Sequence, residues 1–547
     1  MINSKNTFIV TTSILCLSMA ILSEGQANPF LLQLDRWEML LPSIGISAMH
    51  MQLLHNGMVV MFDRTDFGTS NVSLPGGICR YDPTDTAVKF DCSAHSVLYD
   101  VVSNTYRPLN VQTDTWCSSG AVLPNGTLVQ TGGYNDGERA ARMFTPCGYS
   151  ETCDWIEFPQ YLSQRRWYAT NQIIPDGRII VVGGRRQFNY ELFPRHDSRS
   201  RSSRFEFLRE TSDGSNENNL YPFLHLLPDG NLFVFANTRS IVFDYKKNRI
   251  VKEFPEIPGG DPRNYPSSGS SILFPLDETN NTDIEVEIMV CGGSPKGGFS
   301  HGFTRATSTC GRLKLSDQNP IWEMESMPLP RVMGDMLLLP TGDVIIVNGA
   351  GAGTAGWEKA RDPVIQPVIY QPFDHLFSVM STPSRPRMYH SSAVLLPDGR
   401  VLVGGSNPHV YYNFTNVEYP TDLSLEAYSP PYLSFTSDPI RPKILLTNDK
   451  VLSYKRLFNV DFSIAQFLTV DLLSVRIVAP SFTTHSFAMN QRMVILKLLS
   501  VTRDQLTNSY RISALGPSTA EIAPPGYYMM FLVHAGIPSS AAWVQIE

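Results

Sequence analysis

Seven segments of the chain repeat one pattern: an apolar pair leading into a tight turn, a glycine out of it, and a second apolar run ending on small residues. The clear copies are Val122-Leu123-Pro124-Asn125-Gly126 to Gly132-Gly133, Ile173-Ile174-Pro175-Asp176-Gly177 to Gly183-Gly184, Leu226-Leu227-Pro228-Asp229-Gly230 to Ala236-Asn237, Leu338-Leu339-Pro340-Thr341-Gly342 to Gly349, and Leu395-Leu396-Pro397-Asp398-Gly399 to Gly404-Gly405. Ile272-Leu273-Phe274-Pro275 to Gly292-Gly293 is a looser copy, and Leu53-Leu54-His55-Asn56-Gly57 with Met58 to Phe62 a degenerate first one. The turn glycines at 126 and 177 stand 51 residues apart, those at 177 and 230 stand 53 apart, and those at 342 and 399 stand 57 apart. Two strands joined by a hairpin make half of a four-stranded sheet, so a period of roughly 50 residues supplies one sheet per copy, as in Kelch repeats. A single sheet cannot bury its faces alone, and radial repetition supplies the missing cover. The pattern predicts an all-β fold with a seven-bladed Kelch-type β-propeller over residues 28–428.

From about Tyr428 the repeat stops. Ser429-Pro430-Pro431-Tyr432 is linker-like, and strand-like runs such as Leu472 to Val478 and Met493 to Leu498 follow, which predicts an Ig-like β-sandwich over 429–547. At the other end, Lys5 precedes the apolar run Phe8 to Leu22, and Gly25-Gln26-Ala27 offers the small residues a signal peptidase reads, which predicts a signal peptide over 1–27. The run is shorter than the roughly 20 apolar residues of a bilayer span. A secreted, extracellular protein of the apoplast or cell wall, with no membrane attachment after cleavage, is therefore expected. The sequons at Asn71, Asn125, Asn280 and Asn413 fit that route.

Removing Cys16 with the leader leaves an odd set of cysteines. Close spacing suggests the pairs Cys79 with Cys92, Cys147 with Cys153 and Cys291 with Cys310, leaving Cys117 alone. A net charge of -7 and the lack of a basic stripe exclude nucleic acid as a partner. The local cluster Arg195, Arg199, Arg201 and Arg204, interspersed with Ser and Asp, reads as a solvated loop.

Aligning the copies on the turn proline shows what stands seven residues earlier on the incoming strand. The column reads Cys117, Tyr168, Tyr221, Ser268, Met333 and His390, the last preceded by Tyr389. Equivalent positions in a propeller share one radius and one height, so the odd cysteine, a tyrosine and the Tyr389-His390 pair should converge near one mouth of the central channel. Phenols with imidazoles suit N,O-coordinated copper(II) better than zinc. His50, His55, His95, His196, His225, His301, His375, His409, His485 and His534 are all candidates for a second imidazole.

Cys117 in Asp114-Thr115-Trp116-Cys117, Tyr168 in Arg166-Trp167-Tyr168, Tyr389-His390 in Arg387-Met388-Tyr389-His390-Ser391-Ser392, and Thr484-His485-Ser486 resemble the glyoxal oxidase and galactose oxidase family of copper-radical oxidases. The resemblance covers essentially all of the mature chain, with secreted plant glyoxal oxidase-like proteins the nearest in pattern. It implies a thioether-crosslinked Cys117–Tyr168 radical cofactor, Tyr389 as axial phenol, and His390 and His485 as equatorial imidazoles, the last delivered by the C-terminal domain. It further implies a Cu(2+) cofactor, small aldehyde or alcohol substrates such as glyoxal and methylglyoxal, O2 as oxidant and H2O2 as product, in a monomer. Galactose oxidases place a tryptophan shortly after a Gly-Gly pair, whereas here Arg185-Arg186 follows Gly183-Gly184. No separate carbohydrate-binding domain fits between Ala27 and the first repeat, which favours the glyoxal oxidase side. Arg186 reads either as shaping the radical's surroundings and attracting a carboxylate, or as a surface salt-bridge residue.

Two readings compete with this one: a galactose or alcohol oxidase acting on cell-wall polysaccharide, and a non-catalytic Kelch binding module of the cell wall. A hydrolase ranks last, since no Gly-x-Ser-x-Gly elbow follows a strand and no paired acids occupy the column.

Overall fold

The turn glycines of six copies, Gly57, Gly126, Gly177, Gly230, Gly342 and Gly399, take φ between 81° and 90°, the left-handed backbone that lets two strands fold back on each other. Each hairpin grows outward into a four-stranded antiparallel sheet; the second copy, for example, runs Ser119–Val122, Leu128–Thr131, Ala141–Phe144, Ile156–Phe158 in hydrogen-bonded order. The computed structural model describes residues 34–147, 152–195, 201–214, 217–280, 284–447, 450–505 and 509–547, and the predicted signal peptide lies outside them. So do Arg199, His196 and part of the sequon at Asn280.

All seven copies build such a sheet, and the first strands of the second to seventh copies lie side by side in order, that of the seventh also beside that of the first. His50–Leu53 neighbours Ser391–Leu395, which is followed by Asp335–Leu338, Ser270–Leu273, Phe223–Leu226, Ala169–Ile173 and Ser119–Val122. Glycine pairs permit this crowding: a Cβ on Gly132 would stand 1.9 Å from the carbonyl oxygen of Arg166 in the next sheet. The last sheet takes its outer strand from the N-terminal side, Arg36–Leu41 pairing with Leu425–Ser429. The second strands are likewise buried on both faces, as in Met58–Phe62 and Val401–Gly405, and so read as continuous apolar runs.

A buried arginine recurs in five of the sheets, bound to the end of that sheet's own second strand. Arg142, Arg166, Arg263 and Arg387 each donate from Nη1 to the carbonyl of a glycine at the end of a second strand, at 2.7, 2.7, 2.7 and 2.9 Å, and Arg331 does the same to Asn348. Buried guanidinium is tolerated because its terminal Nη donors are answered, in Arg166 and Arg387 also by Glu191 and Glu426 at 2.8 and 2.7 Å.

The C-terminal residues form two further sheets. One carries Lys443–Thr447, Leu457–Ser463, Ser509–Leu515 and Leu498–Asp504; the other carries Arg492–Leu496, Leu473–Ala479, Gly526–His534 and Ala542–Ile546 in that order. Leu457–Ser463 alternates buried and open residues, and its inward Phe458, Val460 and Phe462 share one core cluster with Val475, Ile477, Met530 and Leu532 of the other sheet. One hairpin, Phe482–Thr484 with Phe487–Met489, leaves this region and adds to the inner edge of the first sheet, His50 facing Thr484. Residues 34–547 behave as one compact unit. Cys79–Cys92, Cys147–Cys153 and Cys291–Cys310 are disulfides, as their spacing indicates, and Cys117 is free and buried.

Candidate metal centre

The aligned column becomes a shared backbone feature. Cys117, Tyr168, Tyr221, Ser268, Met333 and His390 all take positive φ, between 48° and 65°, although none is glycine. Non-glycine residues adopt this region rarely, and a set of them at one structural position points to function. Neighbours in the set are hydrogen-bonded: the Tyr168 N–H donates to Cys117 O at 2.9 Å, Tyr221 N–H to Tyr168 O at 3.0 Å, and Met333 N–H to Ser268 O at 2.8 Å. Between Tyr221 and Ser268 the Asn264 side chain intervenes, its Nδ2 donating to Tyr221 O at 3.0 Å.

His485 joins this ring from the hairpin tip, with φ 46°. Its Nε2 lies 3.2 Å from Cys117 Sγ, and its Nδ1 lies 2.6 Å from the Thr484 hydroxyl, which leaves Nε2 facing the centre. The ligand atoms of Cys117, His390 and His485 all lie within 4.8 Å of one another. Among the described residues, the other candidate histidines have different partners: His50 meets Phe62 O and Ser118 Oγ, His225 meets Ser271 Oγ, His95 meets Asp91, His375 meets Glu325, His409 meets Glu358, His301 meets Gly297 O, His534 meets Leu468 N–H and Ile440 O, and His55 stacks on Tyr527.

The phenols are linked. Tyr168 donates to the Tyr265 hydroxyl at 3.2 Å, and Tyr265 and Tyr389 share a hydrogen bond of 2.9 Å. The Tyr389 ring lies 3.9 Å from that of His390, centroid to centroid, and Tyr265 stacks on Tyr168 at 4.5 Å. Sequence reasoning missed Tyr265, which stands three residues ahead of Ser268 and so off the aligned column. Indoles are present despite the missing tryptophan after Gly183-Gly184: Trp167 packs on Tyr168 at 4.8 Å and Trp116, next to Cys117, packs on Trp167 at 4.9 Å. Arg186 is exposed, with φ 57° and its backbone N–H bonded to Glu217, while Arg185 lies over Trp167 at 5.1 Å.

Burial dominates the electrostatics. It pushes the Cys117 thiol and the Tyr168 and Tyr389 phenols well above their ordinary range, and drives the His390 and His485 imidazoles well below theirs. Every group is thus neutral at neutral pH, with imidazole lone pairs free to ligate. Among the described residues His390 has no hydrogen-bond partner on either ring nitrogen although it is buried. Neutral imidazoles and phenols that a divalent cation would deprotonate are the donor set of a copper(II) site.

Residues 49–432 match the family described as glyoxal oxidase N-terminus, and residues 441–546 the galactose oxidase-like early set domain. Aldehyde oxidase GLOX of Vitis pseudoreticulata is 46% identical over 516 residues, covering 93% of this chain and 97% of its own. Aldehyde oxidase GLOX1 of Arabidopsis thaliana is 42% identical, covering 93% of this chain and 84% of its own. A solved fungal alcohol oxidase in complex with copper superposes with a TM-score of 0.71 over 94% of this chain and 100% of that one, at 17% identity, which shows a common fold.

Proposed function

Because the chain belongs to the glyoxal oxidase family, we propose that it is a secreted copper-radical oxidase converting small aldehydes to carboxylic acids while reducing O2 to H2O2. The observation that carries the reading is the convergence of Cys117, His390 and His485 from distant stretches beside the linked phenols of Tyr168 and Tyr389. In this proposal the seven sheets are blades of a closed Kelch-type propeller over 28–428, the C-terminal residues 429–547 an Ig-like sandwich, and the protein a monomer. The N-terminal strand that completes the last sheet supports closure. Among the described residues no helix is long and apolar enough to cross a membrane.

His390, His485, Tyr389 and Tyr168 would hold Cu(2+), and Cys117 would be joined to the Tyr168 ring through a thioether. Bound copper supplies one-electron chemistry and Lewis acidity. The protein's own radical supplies the second electron's place, since a two-electron oxidation exceeds what one copper(II) can accept. An aldehyde enters as its gem-diol, RCH(OH)2. The Tyr389 oxygen takes the hydroxyl proton as general base, and the Tyr168 oxygen takes the hydrogen atom from carbon. The net reaction is RCH(OH)2 + O2 → RCOOH + H2O2. Tyr265, bonded to both phenols, orients them and offers a proton path between them. Trp116 and Trp167 cover the cysteine and ring and keep water from the radical.

Copper-loaded protein should release peroxide with glyoxal or methylglyoxal, and Cys117→Ser should abolish it while the melting profile persists. Its intact mass should fall two hydrogens short of that expected after the disulfides, and Cys117→Ser should restore them. Unchanged turnover in that variant would sink the radical mechanism.

A further inference from the structure

One wall beside Cys117 carries hydrogen-bond donors that nothing among the described residues answers. Arg64 is 3% exposed. Its Nη2 donates to the carbonyls of His409, at 3.1 Å, and Val410, whereas Nη1 has no partner among the described residues. The guanidinium carbon lies 4.6 Å from the Phe67 ring centroid and 5.0 Å from that of Trp357. Trp357 stacks on Trp116 at 4.9 Å and 12°, and the indole N–H groups of both are buried without an acceptor. Asp114 holds this wall against the centre: its Oδ1 accepts from the N–H of Thr65 and of Trp116, at 3.0 Å each, one residue before Cys117. The Arg64 charge is accordingly among those acting on Cys117, Tyr389 and His390.

The other deeply buried arginines differ. Arg166 and Arg387 meet carboxylates, and Arg263 and Arg331, though each leaves Nε unanswered, donate from both Nη atoms, whereas Arg64 leaves a terminal nitrogen idle. Arg64 forms no ion pair with the described residues, and it sits at the chemistry rather than between strands. A buried unpaired cation and a buried donor without an acceptor each cost stability, and such groups are retained where a ligand completes them.

We propose that Arg64, with the indole N–H groups of Trp116 and Trp357, is a subsite for oxygens on the carbon next to the reacting one: the second carbonyl of an α-oxo aldehyde or the carboxylate of an α-oxo acid. Arg64 is then a specificity residue that favours vicinally oxygenated substrates over simple monoaldehydes, because a guanidinium offers paired donors to two oxygens held close together. The substrate half of this statement rests on the oxidase reading above; the binding half does not.

The experiment has two arms. In the first, metal-free wild-type protein is titrated with oxalate and with propionate and followed by calorimetry and tryptophan fluorescence. Oxalate should bind more tightly than propionate, Arg64→Gln should weaken oxalate by about tenfold or more, and Arg64→Lys should recover part of the loss. In the second, copper-loaded Arg64→Gln should show KM for methylglyoxal raised about tenfold or more, and a rise in KM for propanal several-fold smaller than that. No preference for oxalate in the wild type, a test that needs no variant to fold, overturns the subsite. So does equal oxalate binding by Arg64→Gln, or an equal rise in KM for both aldehydes. Oxalate binding with no turnover of any aldehyde would uphold the subsite and refute the oxidase reading instead.

Discussion

His390 is the sharpest point at which function and stability oppose each other in this protein. Its ring is buried, both nitrogens lack partners among the described residues and its φ is 62°. Burying an unanswered polar group costs about 1–3 kcal/mol, and replacing it by an apolar group of similar shape recovers that cost. Met333 occupies the same backbone position with φ 61°, so a methionine is already accommodated in this strained geometry. His390→Met should therefore stabilise the metal-free protein by about 1–3 kcal/mol. With about 2 cal/mol/K of unfolding entropy per residue, a cooperative unit this size has about 1 kcal/mol/K, and the melting temperature should rise by about 1–3 °C. Copper at about a hundred times its Kd should stabilise the wild type by about 2.7 kcal/mol, and the variant by much less, since a thioether is a poor copper(II) ligand. The assay is differential scanning calorimetry with chelator and then with copper(II). His485→Met is the contrast: its Nδ1 is already bonded to Thr484, so the same change should give no gain. A metal-free His390→Met that melts below the wild type, or that gains as much from copper, would refute the reasoning.

Tyr265→Phe removes the hydroxyl that joins Tyr168 to Tyr389. Each such bond is worth about 0.5–1.5 kcal/mol, so kcat with methylglyoxal should fall about three- to tenfold while copper content, read by atomic absorption, stays the same. His225, buried against Ser271, has its pKa driven down to about 3 from 6.5 by burial. The unfolded chain therefore takes up a proton below pH 6.5 that the folded one refuses, so this contribution is whole above 6.5 and is lost as pH falls toward 3. His225→Gln should lose about 3 kcal/mol less than the wild type between pH 6.5 and pH 4, measured by urea unfolding; equal acid sensitivity would refute it.

What could be read from the sequence was what repeats. The turn glycines mark each hairpin, and counting back from each proline lands on Cys117, Tyr168 and His390, which share one backbone conformation in the structure. The disulfides were legible because each closes a short loop. His485 lies outside the repeat, and only its resemblance to a known motif singled it out; the pairing of its hairpin with His50–Leu53 is a long-range contact that no local pattern encodes. Tyr265 and Arg64 escaped for a related reason. Neither occupies the column, and what marks them is three-dimensional: a hydroxyl between two phenols, and a buried guanidinium with an idle nitrogen. Arg142, Arg166, Arg263, Arg331 and Arg387 do recur, but at uneven offsets from the turn, so strict alignment passes over them.

The pairing of Arg36–Leu41 with Leu425–Ser429 binds nearly the first described residues of the protein to a strand made almost four hundred residues later, and the Thr484–Ser486 tip arrives later still. Loop closure over such separations is slow and comes after local hairpins form. On a ribosome, the early sheets would wait with one edge open until the last segments emerged. The copper pocket would then be the final thing assembled, since His485 is the last of its residues to be made.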